Sequence, residues 1–290
     1  MRRYRTEANN RWHGFAHRDG DIVISTRSKC GTTWMQMVCL LLIHQTPDLP
    51  APLGELSPWL DHDVEPLADV QARLAAQQFR RVIKTHTPLD GLPLDDRVTY
   101  VVVGRHPLDV AVSLFHHSRN IDRDRMRELT GRPSSAPDVP TPEAWIEAWI
   151  ADRRDPADDL DTLPGNVHHV ADAWGRRAAG AGNVVLAHYA DLEADLAGAM
   201  RAMADRLGID VPADRWPGLV AAAGFASMAA RAPDLAPDRL GVLRDRQAFF
   251  RTGRSGDGVR LATPDQRARY AARVRELAPA EVVAWLNRPA

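Results

Sequence analysis

Of the 37 lysine and arginine residues only two are lysines, Lys29 and Lys84, and each stands at the end of a β-branched apolar run. Arginine supplies every other side-chain cation of that pair, so the choice of lysine here suggests ammonium chemistry. A compact point charge with rotating donors does a different job from a planar guanidinium fork. Lys29 lies in Ser25-Thr26-Arg27-Ser28-Lys29-Cys30-Gly31-Thr32-Thr33-Trp34, between an apolar run and a long apolar helix pattern. A strand, a short loop and a helix starting near Gly31 would gather backbone N–H groups, the positive helix end and the hydroxyls of Thr32 and Thr33 at one point. That combination holds a phosphate or a related anion. The bland alternative is a helix capped by threonine. The stretch lacks the G-x-x-x-x-G-K-[ST] order of a triphosphate loop, and its lysine precedes the glycine.

Lys84 belongs to Lys84-Thr85-His86-Thr87-Pro88. Alternate residues of a strand share a face, so the ammonium would lie beside the imidazole of His86. Imidazole titrates near neutrality and can take a proton from a hydroxyl. A base for an incoming hydroxyl would then neighbour a cation for a departing anion. The chain has 11 histidines, and a lone one is more often structural; the lysine two residues away favours the chemical reading. A third group is Arg105, ending VVVGR, followed by a helical pattern that carries Ser113. Such an arginine can grip a phosphate with both prongs of its fork.

Positioning these groups is the task of the elements around them. DIVIST (21–26), RVIKTH (81–86), TYVVVGR (99–105) and NVVLAHY (183–189) are apolar runs that read as strands buried on both faces, as in a parallel sheet. Helical patterns follow at 32–45, 107–118 and 191–207, with others around Trp145–Ile150 and His168–Arg177. Alternating strands and helices predict an α/β fold, a doubly wound parallel sheet flanked by helices. Ligands of such sheets sit beyond the carboxyl ends of the strands, where Lys29, His86 and Arg105 all fall. The chain reads as one domain, 1–290, with no internal repeat. A mobile acceptor-side loop is expected around 119–165, centred on the Pro- and Ser-rich TGRPSSAPDVPTPEA (130–144). The C-terminal third is Ala- and Arg-rich and reads as mostly helical, with a turn at 251–258.

A formal net charge of −1 provides no global field for nucleic acid. Two cysteines are too few for a disulfide framework, which suggests a reducing, cytoplasmic setting. The opening residues have no apolar leader pattern, and MQMVCLLLI is about half of what a bilayer crossing needs. The HH pairs at 116–117 and 168–169 lack helix-face metal spacing, so no metal is expected. Abundant Ala and Arg point to a GC-rich, bacterial source.

Taken together, the three stretches resemble the cytosolic-type sulfotransferases that use 3′-phosphoadenosine 5′-phosphosulfate (PAPS). That family's first loop is usually written Y-P-K-S-G-T-T-W, against Arg27 to Trp34 here. Its K-T-H-x-P block is intact at Lys84 to Pro88, and R-x-P-x-D-x-x-x-S is matched by Arg105, Pro107, Asp109 and Ser113. HYADL (188–192) resembles Y-E-D-[ML], and R-K-G-x-x-G-D-W is echoed by Arg251-Thr252-Gly253 and Gly256-Asp257-Gly258. The blocks keep the family's order from residue 21 to residue 258.

The resemblance implies a P-loop-like sulfotransferase fold and PAPS as donor. It gives His86 the part of general base, and Lys29 and Lys84 the part of cations at the leaving oxygen. Lys29, Cys30, Gly31, Thr32 and Thr33 would surround the 5′-phosphate. Arg105, Ser113, Arg251, Thr252 and Gly253 would take the 3′-phosphate. Trp34 and Phe225 would sandwich adenine, Tyr189 would meet its edge, and Phe225 with Met228 fits F-x-x-M. This chain departs at Ala223, where a hydroxyl residue is usual, at Thr252 for lysine and at Gly258 for tryptophan. The animal dimerisation motif should fall near 259–268, where only Thr263 matches, so that dimer is not expected. The implied acceptor is a small-molecule hydroxyl compound, and the motifs do not separate phenols, steroid-like alcohols, lipids and glycans; the GC-rich composition favours a secondary metabolite or a lipid. The rivals are a P-loop-type kinase and a nucleotide-binding module without sulfuryl transfer. The first calls for a GK[ST] loop and a magnesium aspartate, and the second has no use for Lys84 and His86.

Overall fold

The computed structural model describes residues 1–131 and 141–288. Four parallel strands, β1 (Ile22–Thr26), β2 (Val82–Thr85), β3 (Thr99–Gly104) and β4 (Val184–His188), form one sheet in the order β2-β1-β3-β4. β1 is paired on both sides, Ile24 lying opposite Lys84 on one and Val101 on the other. The alternation expected of a strand decides the layers. Ile22, Ile24, Val82, Val101 and Val103 pack on one face with helix Thr32–His44, while Val23, Ile83, Tyr100 and Val102 pack on the other with Trp12 and Leu74. The doubly wound α/β expectation therefore holds.

Helix Thr32–His44 is buried continuously from Thr32 to Leu42. Its composition explains this: a helix apolar all round has no face to give to water. It follows β1, and the chain returns through β2 on one side before crossing to β3 on the other. β1 is thus the switch point of the sheet, and the crevice beyond its carboxyl end is where a ligand is expected. Helix Pro107–Asn120, with Pro107 in its first turn, starts beyond β3 and carries Ser113 towards the same crevice.

Two expected elements differ in detail. The pattern at 191–207 is two helices, Tyr189–Ala194 and Leu196–Leu207, because the Asp195 carboxylate caps the second by accepting the Gly198 N–H at 2.8 Å. Of the loop expected over 119–165, the described parts include helices Arg123–Thr130 and Pro142–Ala151, capped by Asp122 and Thr141. Residues 132–140, the centre of that expectation, lie outside the described residues. Among the described residues no helix is long and apolar enough to cross a membrane.

Candidate active site

A cavity of about 320 Å³ opens at the carboxyl end of the sheet. Four cations, Lys29, Lys84, Arg105 and Arg251, face it, and Asp161 is the one carboxylate among its described lining residues. The excess of positive charge suits a polyanion.

The first loop approaches this cavity in a strained conformation. Lys29 has φ +66°, a left-handed backbone that costs a non-glycine residue of order 1 kcal/mol or more. Gly31 follows at φ +103°, and a Cβ there would come within 3.0 Å of the Tyr189 ring. Only glycine meets both demands. The bend aims the Lys29 side chain into the cavity and places helix Thr32–His44 with its N-terminus at it, with Thr32 and Thr33 in the lining. The Thr32 hydroxyl shares a short hydrogen bond with that of Thr26. Cys30 is the exception among the expected loop contacts. Its side chain is buried away from the cavity in the core, where Sγ accepts a hydrogen bond from Asn166 Nδ2 at 3.3 Å and burial pushes the thiol up to about 11. Its N–H is also used, donating to the Arg27 carbonyl at 3.2 Å.

Both ammonium groups rest on aromatic faces: Lys29 Nζ lies 3.9 Å from the centre of the Phe249 ring, and Lys84 Nζ lies 3.9 Å from the centre of the Trp59 ring. Neither forms an ion pair with a carboxylate among the described residues. Burial, with the charges of Arg105, Lys84 and Arg251 behind it, pulls Lys29 down to about 7. Burial pulls Lys84 down to about 8 although Asp61 and Glu7 oppose it.

His86 has a fixed tautomer. Its Nδ1–H donates to the Thr26 carbonyl at 2.5 Å, so Nε2 carries the free lone pair. Burial first, then the charges of Lys84 and Arg27, holds the imidazole well below its usual range, and the ring stays neutral. Trp59 stands edge-on to it at 4.5 Å. Trp59 is in turn anchored by Asp61, whose carboxylate accepts from Trp59 Nε1 at 2.9 Å, Trp12 Nε1 at 3.0 Å, Thr85 Oγ1 at 2.5 Å and Thr87 Oγ1 at 2.6 Å. The threonines on either side of His86 are thereby tied to one buried anion.

The far end of the cavity is built on helix Pro107–Asn120. Arg105 donates to the Lys29 carbonyl at 3.1 Å and the Arg254 carbonyl at 3.0 Å, and its guanidinium lies 4.0 Å from the Tyr189 ring centre. Ser113, Arg251, Thr252 and Gly253 share this part of the lining. Asp109, buried in the first turn of the helix, accepts the N–H of Gly256 at 2.8 Å and of Gly258 at 2.7 Å, which fixes the 251–258 turn against the helix. Arg251 donates to Asp257 at 2.7 Å. Gly258 now has a reason: a Cβ there would sit 2.2 Å from the Leu108 carbonyl carbon, so no tryptophan could follow Asp257 in this packing. Trp34, Tyr189, Phe225 and Met228 form the apolar wall, with Trp34 Nε1 donating to the Ala223 carbonyl at 2.9 Å and meeting Tyr189 edge-on at 5.2 Å. The carbonyl is what residue 223 contributes there, and alanine has one as any residue does.

Of the residues expected to contact the donor or acceptor, all but Cys30 line one cavity. Missed were Asp161, His62, His117 and Phe249, which reach it from segments without a recognisable spacing, and Asp61, which stands behind the lining and holds Trp59, Thr85 and Thr87. Asp109 stood in its motif, but its grip on a turn 147 residues away is visible only in the fold.

The sulfotransferase domain profile matches residues 19–278. A glycolipid sulfotransferase of Mycobacterium bovis is 41% identical over 300 residues, covering 96% of this chain and 91% of that protein. The glycolipid sulfotransferase of Mycobacterium tuberculosis is 41% identical over 299 residues, with the same coverage of 96% and 91%. Among solved structures, mouse sulfotransferase SULT7A1 complexed with PAP superposes with a TM-score of 0.71 at 22% identity, over 97% of this chain and 92% of that one.

Proposed function

Because the chain belongs to the sulfotransferase family, we propose that it transfers a sulfuryl group from PAPS to the hydroxyl of a small-molecule acceptor, with His86 as the general base. One observation carries the assignment of the base. Nδ1 is committed to the Thr26 carbonyl, so a neutral, buried imidazole presents Nε2 in a cavity that also holds two lysines. The donor supplies a sulfur centre bonded to a nucleotide phosphate that leaves as an anion. His86 Nε2 takes the proton of the acceptor hydroxyl, and Lys29 and Lys84 stand where charge grows on the departing oxygen. The products are a sulfate ester, the nucleotide bisphosphate and a proton held on His86. Lys29, Gly31, Thr32, Thr33 and the helix end fit the 5′-phosphate, and Arg105, Ser113 and the 251–253 turn fit the 3′-phosphate. The walls of Trp34 and Phe225 fit the base.

His86→Ala is expected to lower kcat by at least about 100-fold, the scale of lost general-base catalysis, while 3′,5′-bisphosphoadenosine still binds. Wild-type turnover in that variant would end the assignment. Stabilisation by ATP with magnesium, and none by the bisphosphate alone, would favour a kinase instead.

For the acceptor we favour an amphipathic molecule with a sugar-like head. A second cavity of about 250 Å³ adjoins the first and shares Trp59, His62 and Lys84 with it. It is lined by the carboxylates Glu55, Glu65, Asp234 and Asp238 and by the cations Arg73, Lys84, Arg239 and Arg246. Four charges of each sign offer donors and acceptors with no net field, which suits neutral hydroxyls better than an ion. The first cavity adds the apolar side chains of Ile121, Met126 and Leu243, and both share Val242. The mycobacterial relatives are glycolipid sulfotransferases, which agrees with a polar pocket beside an apolar patch of the first cavity. A labelled-donor assay across phenols, steroid alcohols, free sugars and glycolipids tests it; preference for a simple phenol would refute it.

A further inference from the structure

Arg27 stands where the family's first loop usually has tyrosine, and Ser28 where it has proline. The side chain of Arg27 is buried, 3% exposed, directly beneath the two catalytic segments. Its guanidinium makes three contacts, each to a different part of the chain. Nη1 donates to Glu7 Oε1 at 3.0 Å and, by a short bond, to the backbone carbonyl of His86. Nη2 donates to Asp161 Oδ1 at 2.6 Å. The second oxygen of Asp161 accepts from Ser28 Oγ at 3.2 Å, so one carboxylate holds both residues that precede Lys29. We infer that Arg27 is a positioning residue for the reaction: with Asp161 and Glu7 it clamps the Lys29 loop to the His86 carbonyl, holding base and leaving-group cation in one register. The inference rests on the reading of His86 as base.

The geometry has a clear logic. The loop carries the strained backbone of Lys29 and has no proline to stiffen it, so side-chain contacts must supply the rigidity. A guanidinium suits this because its planar fork can bind a carbonyl and two carboxylates at once, which an ammonium cannot do with the same directionality. Glu7 comes from the N-terminal segment, which is itself tied down: Tyr4 Oη donates to Asp90 at 2.5 Å, and Asn9 Nδ2 donates to the Gly91 carbonyl at 2.9 Å. Residues before β1 thus reach the catalytic centre through one arginine. The groups around His86 are Lys84, Arg27, His169 and the Thr26 carbonyl, and those around Glu7 are Arg27, Asp61 and Asp161. Arg27 and Lys84 are therefore the two full charges that hold His86 neutral once burial has acted.

The test compares Arg27→Met, Arg27→Lys and the double variant Arg27→Met/Glu7→Gln in the full chain, with 3′,5′-bisphosphoadenosine binding used to count folded sites. Per folded site, Arg27→Met should lose roughly 10–100-fold in kcat, the scale of a small misplacement, with donor KM changed by less than about three-fold. The acid limb of its kcat/KM profile should move up by about one pH unit, since a nearby positive charge has gone. Arg27→Lys keeps the charge without the fork, so its kcat should fall while the acid limb stays in place. Burial already pushes the Glu7 carboxyl up to about 8, so the double variant removes a carboxyl left without its partner, and it should repeat both effects of Arg27→Met even if that single variant folds poorly. If kcat per folded site and the acid limb both match wild type in the double variant, Arg27 serves stability alone and the inference is overturned. Full turnover in His86→Ala would remove the base assignment instead, so the two failures are distinguishable.

Discussion

If the donor binds as proposed, the lysines of the cavity make its binding a proton-uptake reaction, and the size of that uptake follows from their surroundings. In the free protein Lys29 is held near 7 and Lys84 near 8, both by burial first. A phosphate beside an ammonium favours the charged form and returns it towards its ordinary value. The sign is therefore uptake, and binding must tighten as pH falls. At pH 8 the phosphates of 3′,5′-bisphosphoadenosine are already fully ionised, so protons taken up belong to the protein. At that pH Lys29 is about nine-tenths neutral and Lys84 about half, which gives an uptake of about 1.4 protons per site; at pH 6 it is about 0.1. Integrated, the affinity should fall about 100-fold from pH 6.5 to pH 8.5. Calorimetry in two buffers of different ionisation enthalpy measures the uptake directly. Lys29→Met should remove about 0.9 of a proton at pH 8 and Lys84→Met about 0.5, so the variants separate the two contributions. An affinity that stays flat from pH 6.5 to pH 8.5, with no uptake at pH 8, would refute the view that these lysines meet the bound anion.

Other outcomes can be checked independently. Trp34→Ala should weaken bisphosphate binding by roughly 1–3 kcal/mol, the value of one base–aromatic stack, measured by calorimetry at fixed pH. Asp61→Ala strands four donors, those of Trp12, Trp59, Thr85 and Thr87, and should cost at least about 3 kcal/mol, lowering Tm by roughly 5–10 °C. Gly258→Ala forces a Cβ into the backbone of Leu108 and should destabilise by about 1–3 kcal/mol, with donor binding weakened because the 251–258 turn shifts. Denaturant melts should also reveal the buried neutral histidines. His62, His117 and His169 are each held near 3 by burial, against 6.5 when unfolded. Between those values the unfolded chain binds more protons, so stability should decline steadily as pH falls from about 6.5 towards 3.

The strands, the long buried helix and most of the cavity-lining groups were legible because each rests on a local cause. β-branched runs with polar ends make buried parallel strands, and in a chain of arginines two lysines beside Gly31 and His86 mark the cavity. Cys30 shows where local spacing stops. It lies between Lys29 and Gly31, yet the left-handed turn at Lys29 sends its side chain into the core while its neighbours enter the cavity. Asp195 and Asp122, residues of ordinary type, end or start helices only through caps that periodicity does not register.

What the amino-acid order determined alone is the set of groups at the carboxyl ends of β1, β2 and β3, because a parallel sheet delivers strand ends to one edge whatever the rest of the chain does. Tertiary structure decided which carboxyl groups hold those groups in place. Asp61 ties down both threonines beside His86, Asp109 pins a turn from the far end of the chain, and Arg27 joins Glu7, Asp161 and the His86 carbonyl. These partners lie tens to more than a hundred residues apart, so no period or motif connects them. A buried charge takes whatever counter-group packing brings within hydrogen-bonding distance, and only the folded chain settles which one that is.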